Sequence, residues 1–150
     1  MNRRKFFGQV GTLAAVAAFV PSTLSAINWR ETKIKAFEAK KIDNAMNELF
    51  GTSSTTEGNV KLKAPDIAEN GAVIPVSLES DLKATRIAVF QDANPETLVA
   101  VFDVPQGGII DYSIRIKMMK TGKIKVVAEV DGKLYSAEKE VKVTIGGCGG

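Results

Sequence analysis

Residues 123–145 read KIKVVAEVDGKLYSAEKEVKVTI and hold the clearest fold signal in the chain. Ile124, Val126, Ala128 and Val130 alternate with Lys123, Lys125 and Glu129. A period of two puts one set of side chains on a buried face and the other in water, as in a half-buried strand. Asp131-Gly132 follows, a dipeptide that supplies the positive φ angles of a two-residue hairpin. Beyond it, residues 133–145 place Val141, Val143 and Ile145 between Lys142 and Thr144, so a second strand returns beside the first.

The pattern continues upstream. Residues 109–117 set Ile110, Tyr112, Ile114 and Ile116 against Asp111, Ser113, Arg115 and Lys117. Residues 85–91 (TRIAVFQ) and 97–104 (TLVAVFDV) are apolar strands around a turn at Asp92-Ala93-Asn94-Pro95. Ala72, Ile74, Val76 and Leu78 alternate, with Pro75 among them, which points to an edge strand or a bulge. Val60, Leu62 and Ala64 give a seventh run, ended by Pro65. Seven short strands with turns at roughly ten-residue spacing predict an immunoglobulin-like antiparallel β-sandwich over residues 60–145, a mainly β fold. Before it, TSSTTEGN (52–59) reads as a polar loop. Trp29, Ile34, Phe37, Ile42, Ala45, Met46, Leu49 and Phe50 recur largely at intervals of three or four, an amphipathic helix or two short ones within residues 27–51, stopped by Gly51.

Residues 1–26 have the layout of an export signal: a basic start, an apolar run from Val10 to Val20, Pro21, then small residues up to Ser25 and Ala26. The run is short for about 30 Å of hydrocarbon, which disfavours an uncleaved anchor. Asn2-Arg3-Arg4-Lys5-Phe6-Phe7 resembles a twin-arginine motif and favours that route over a plain Sec signal, with a periplasmic destination. Twin-arginine export carries folded proteins, so a reason to fold first is needed, such as a partner carried along.

Composition removes whole classes of chemistry. The 150 residues include one cysteine and no histidine. Histidine-dependent nucleophile systems, histidine-containing metal sites, an internal disulfide and a CxxC pair are therefore impossible within the chain. Without Arg3, Arg4 and Lys5 the 20 basic residues fall to 17, matching the 17 acids, so the body carries no basic excess for nucleic acid or a membrane surface. No cofactor or metal is expected. Acidic side chains fall on polar strand faces and loops, where solvation explains them.

The remaining chemical signal is the terminus, Ile145-Gly146-Gly147-Cys148-Gly149-Gly150. Gly146, Gly147, Gly149 and Gly150 bracket the lone thiol with wide conformational freedom. A five-residue extended arm reaches about 17 Å. A thiol so near the end can hardly be buried by its own domain, and a free exposed thiol in an oxidising compartment is a liability unless used. No base is placed beside it by sequence, so activation must come from whatever binds the arm. This suits a carrier better than an enzyme.

The GGCGG end (146–150) resembles that of the SoxY family of sulfur carriers in bacterial thiosulfate oxidation. The resemblance extends through Glu69-Asn70-Gly71-Ala72-Val73-Ile74-Pro75-Val76, Ile87-Ala88-Val89-Phe90, Asn94-Pro95, Ala100, Phe102, Arg115-Ile116-Lys117 and Val127-Ala128-Glu129, covering about residues 60–150. It implies that Cys148 bears the substrate as a covalent adduct and that the glycines form a swinging arm. It further implies a heterodimer with SoxZ, loading by the haem enzyme SoxAX, sulfate release by SoxB and, where present, oxidation by the sulfur dehydrogenase SoxCD. Two other readings stay open from the residues: a Gly-Gly carrier with a terminal thiocarboxylate, and a secreted sandwich joined through Cys148 by an intermolecular disulfide. The export leader counts against the first, because ATP-dependent activation is cytoplasmic.

Overall fold

The computed structural model describes residues 27–144. Arg3, Arg4, Cys148 and Gly146, Gly147, Gly149 and Gly150 therefore lie outside the described residues. Three short helices come first: α1 (Trp29–Thr32), α2 (Ile34–Glu38) and α3 (Ile42–Phe50). Strands follow: β1 (Thr56–Glu57), β2 (Lys61–Lys63), β3 (Ile67–Ala68), β4 (Ile74–Ser80), β5 (Arg86–Gln91), β6 (Leu98–Asp103), β7 (Ile110–Ile116), β8 (Gly122–Val130) and β9 (Lys133–Val143).

Two sheets face each other. The larger has the order β1-β9-β8-β5-β6, with β3 also on β9, and the smaller is β2-β4-β7. Asp131 and Gly132 take φ of 50° and 75° in the β8–β9 hairpin, which Val130 and Lys133 close as a pair. Between the sheets lie Ile74, Val76 and Leu78 of β4, Ile87 and Val89 of β5, and Ile124 and Val126 of β8. Each such side chain contributes about 1.5–3 kcal/mol by leaving water. Along β7 burial alternates as the sequence does, leaving one face of the strand bare.

The helices add a third layer. Ala36, Phe37, Ala45, Met46 and Leu49 pack on Ala88 and Phe90 of β5, Leu98 of β6, Val127 of β8 and Leu134 of β9. This explains the unbroken run Ile87-Ala88-Val89-Phe90: both faces of β5 are covered, so alternation would leave polar groups in a core. Helix α3 ends at Gly51, whose φ of 80° is the left-handed closure that favours glycine, with its N–H donated to the Asn47 carbonyl at 2.9 Å. The N-terminal segment also runs along the outer edge of β6. The Ala39 carbonyl accepts from the Thr97 N–H at 3.2 Å, and Trp29 Nε1 donates to Asp103 Oδ2 at 2.8 Å. Arg86 stacks 4.1 Å from the Trp29 ring, with Asp103 and Glu129 at 3.9 and 3.7 Å from its guanidinium. These contacts stand at the two ends of the uncharged stretch Leu98 to Phe102.

Several expectations change in detail. Nine strands stand in the described residues, two more than the sequence suggested. The extra ones, β1 and β3, are two residues each and pair parallel to β9, so the sheet is not wholly antiparallel. They carry no alternation because pairing backbone to backbone on β9 asks nothing of their side chains. The segment 52–59 is thus not all loop: Ser136 Oγ donates to Thr55 Oγ1 at 2.8 Å and holds β1 in place. The last strand ends at Val143, where Thr144 turns its N–H to the Ala68 carbonyl. Pro75 lies in β4, between β2 and β7, but β2 reaches only Ser77–Glu79. At Pro75 that side of β4 is therefore an edge, and the missing N–H costs no ladder bond there.

Candidate functional site

The described residues end at Thr144, four positions before Cys148, so the end of the sandwich around Thr144 is the part of the fold nearest in sequence to the thiol. Two sides of the β9 end are held. On one, Lys142 and Thr144 donate their N–H groups to the Asp66 and Ala68 carbonyls at 2.9 and 3.1 Å. On the other, the Val143 N–H reaches Thr121 Oγ1 at 3.0 Å. The root is thereby fixed in direction.

Three loops share this end and are tied to one another. Met118 donates its N–H to the Gly71 carbonyl at 2.8 Å, joining the β7–β8 loop to the segment before β4. The Asn94 side chain accepts from the Met119 N–H at 2.9 Å and donates to the Lys117 carbonyl at 2.6 Å. Gln91, 1% exposed, donates to the Glu96 carbonyl and accepts from the Asn94 N–H, both at 2.7 Å. The Asp92 carboxylate accepts from the Lys123 N–H at 2.7 Å. These bonds make a platform rather than a set of free loops.

Gly122 is a position that sequence reasoning missed. A Cβ there would stand 2.5 Å from Asp92 Oδ1 and 3.0 Å from the Ala93 Cβ. Gly122→Ala should therefore push Asp92 off the Lys123 N–H and lower stability by about 1–3 kcal/mol. Urea unfolding checks the loss, and amide exchange should rise first at Lys123 and Met119. No sequence signal marks this glycine, because its φ is not in the left-handed region and only the approach of Asp92 demands it.

The other end of the sandwich is different in kind. There Lys63 and Glu79 form an exposed ion pair. The hydrogen bond, then the charge, holds the Glu79 carboxyl below its ordinary range and the Lys63 ammonium above its own. Among the described residues no three Asp or Glu side chains converge on a metal-sized site. No described helix is long and apolar enough to cross a membrane.

The described residues define a mainly β sandwich with a helical cover, whose last described residue stands four positions before the chain's one thiol. The family model for the sulfur oxidation protein SoxY matches residues 46–148, so its last matched residue is Cys148. The structure of the sulfur carrier protein SoxY from Chlorobium limicola f thiosulfatophilum is similar at 43% identity, with a TM-score of 0.65, over 70% of this chain and 97% of that one. A superoxide reductase (neelaredoxin) from Ignicoccus hospitalis shares the fold alone, at 18% identity and a TM-score of 0.52 over 58% of this chain and 81% of that one. No curated protein matches the sequence. The chain belongs to the SoxY family.

Proposed function

We propose that this chain carries sulfur intermediates of thiosulfate oxidation covalently on Cys148 and is not itself an enzyme. The observation that carries the reading is the match of the SoxY model through Cys148, with the root at Thr144 held by Ala68 and its neighbour Val143 by Thr121. A fixed root and a glycine-bracketed thiol have separate roles, in which the sandwich aims and the arm adjusts.

In the loading step the Cys148 thiolate and the sulfane sulfur of thiosulfate form an S–S bond. Two electrons leave, accepted by the haem enzyme SoxAX, and the product is a Cys148 S-thiosulfonate. SoxB then adds water to the terminal sulfonate sulfur and breaks its bond to the sulfane sulfur. Sulfate and two protons depart, and a persulfide stays on Cys148. The sulfur dehydrogenase SoxCD, where present, oxidises that persulfide sulfur to a sulfonate with the oxygens of three waters, accepting six electrons while six protons leave. Sulfur serves because it is both nucleophile and leaving group, so S–S bonds form and break at modest barriers. A second thiol in the chain would capture the adduct as a disulfide, and the sequence holds only one.

SoxZ is the proposed partner, and the site of action is the periplasm. Folding with SoxZ before passage gives a cofactor-free chain a reason to use a twin-arginine leader. The test is intact-mass spectrometry of the mature protein from cells oxidising thiosulfate. A heterogeneous mass addition on Cys148, removed by reductant, is expected, together with a small co-purifying subunit. An unmodified mass during turnover, or a permanent disulfide dimer indifferent to thiosulfate, would overturn the reading.

A further inference from the structure

Asn70 is the only asparagine of the chain that precedes a glycine. With no Cβ after it, the glycine nitrogen can swing onto the asparagine's amide carbon, so an Asn-Gly pair closes into a succinimide ring more readily than other asparagine pairs. The pair lies in the turn before β4, exposed at Asn70 and buried at Gly71. Asn70 Oδ1 accepts from the Ala72 N–H at 2.9 Å, and the Asn70 carbonyl accepts from the Val73 N–H at 3.3 Å. Those bonds are local and move with the turn. The tie to the rest of the fold is the Gly71 carbonyl, which accepts from the Met118 N–H at 2.8 Å. Met118 is fully buried and stands between Lys117 and Met119. The Asn94 amide holds both of those neighbours, through the Lys117 carbonyl at 2.6 Å and the Met119 N–H at 2.9 Å. Asn94 thus steadies the residue that clamps Gly71.

While the clamp is shut, Gly71 is buried and the Asn70 amide is engaged by Ala72, so ring closure waits for the turn to open locally. We propose that Asn70 is a site of spontaneous deamidation whose rate is set by the Met118 clamp on Gly71, and that the product leaves the clamp open. In the first step the Gly71 nitrogen gives up its proton and bonds to Asn70 Cγ. The Cγ–Nδ2 bond breaks, and ammonia leaves with that proton. Water then opens the ring at either carbonyl, giving aspartate or isoaspartate, so one water is consumed and one ammonia released. Isoaspartate routes the backbone through Cγ and inserts a methylene between residues 70 and 71. The Gly71 carbonyl then no longer registers with the Met118 N–H. Ala68, whose carbonyl accepts from the Thr144 N–H, lies two residues upstream, so the loosening begins beside the grip on the last strand. The step needs no sulfur on Cys148 and stands apart from the carrier reading.

The test ages the purified mature protein, with any subunit that co-purifies, in mildly alkaline buffer. Peptide mapping follows Asn70, reads the replacement of NH by O in mass, and separates isoaspartate from aspartate. Wild type should convert at Asn70 before any other described asparagine, and more slowly than the same chain unfolded in urea. Asn94→Ala should convert about tenfold faster, because two hydrogen bonds no longer steady the clamp. Asn94→Asp loses the bond to the Lys117 carbonyl alone and should convert faster as well, which serves if the alanine variant fails to fold. Asn70→Gln, whose ring would be one atom larger, should stay unconverted. Amide exchange at Met118 should quicken in the aged isoaspartate fraction. In Asn70→Asp, which carries the new charge without the added methylene, it should match fresh wild type. An Asn70 that stays intact in the fold while the urea-unfolded chain converts would overturn the proposal. So would conversion as fast in the fold as in urea, equal rates in wild type and the folded Asn94 variants, or unchanged Met118 exchange in the aged fraction.

Discussion

Serine in place of Cys148 is expected to abolish sulfur loading completely while leaving the body of the protein as stable as before. The hydroxyl is isosteric with the thiol but is neither an S–S bond former nor appreciably ionised near neutral pH. No other cysteine in the chain can take over. Loading should therefore drop from stoichiometric to undetectable by intact mass, and growth of the Cys148→Ser strain on thiosulfate should fail. The buried members of both hydrophobic clusters run from Ala36 to Val141, so thermal unfolding should not move. Loss of growth accompanied by a lower thermal midpoint would assign Cys148 a structural part and sink the carrier reading. Removing Gly149 and Gly150 is a sharper companion: a carrier that uses the thiol should keep part of its loading, whereas one that uses a terminal thiocarboxylate would keep none.

Phe90→Ala should give the largest loss of stability of any single change in the outer layer. Phe90 is fully buried in β5, on the face that α2 and α3 cover, among Phe37, Met46, Leu49 and Leu98. Truncation removes the ring and leaves a cavity that flanking strands β6 and β8 cannot close, at about 3–5 kcal/mol. A domain of this size has about 5–15 kcal/mol in all, so the variant would approach the limit of folding. The effect should be uneven. Val89 and Ile87 still pack between the sheets, while the helices lose the side chain they rest on. Trp29 is the only tryptophan and stacks on Arg86 at the end of the same layer, so its emission should shift to the red at lower urea than the sheet signal is lost. Two coincident transitions, or a loss under about 1 kcal/mol, would show that the helices do not rest on Phe90 as described.

Reading the chain alone finds the strands wherever one face is open. β7 alternates because water meets one side of it, while β8 alternates except through Val126-Val127-Ala128, where the helices cover its outer face. The same rule fails at β5, where Ile87-Ala88-Val89-Phe90 has no period. Such a run says buried without saying against what, and the helical cover supplies the answer. The rule is silent on β1 and β3, which pair through backbone alone. Arg86 is equally illegible. In sequence it is one charge at a strand start, while in the fold it lies under Trp29, 57 positions away, with its Nε buried and no hydrogen-bond partner. Long-range placement of this sort leaves no local trace.

Amino-acid order was enough to single out one thiol among four glycines as the candidate reactive group, while leaving a terminal thiocarboxylate and an intermolecular disulfide open. It was enough for the sandwich as well, because period-two alternation is a local consequence of half-burial. Two features came from the folded arrangement alone: Ala68 and Thr121 grip the last strand, and Gly122 yields its side chain's space to Asp92. These are meetings of segments distant along the chain. They follow from which strand lies beside which, a choice made by the summed packing of two cores rather than by any residue's own preference.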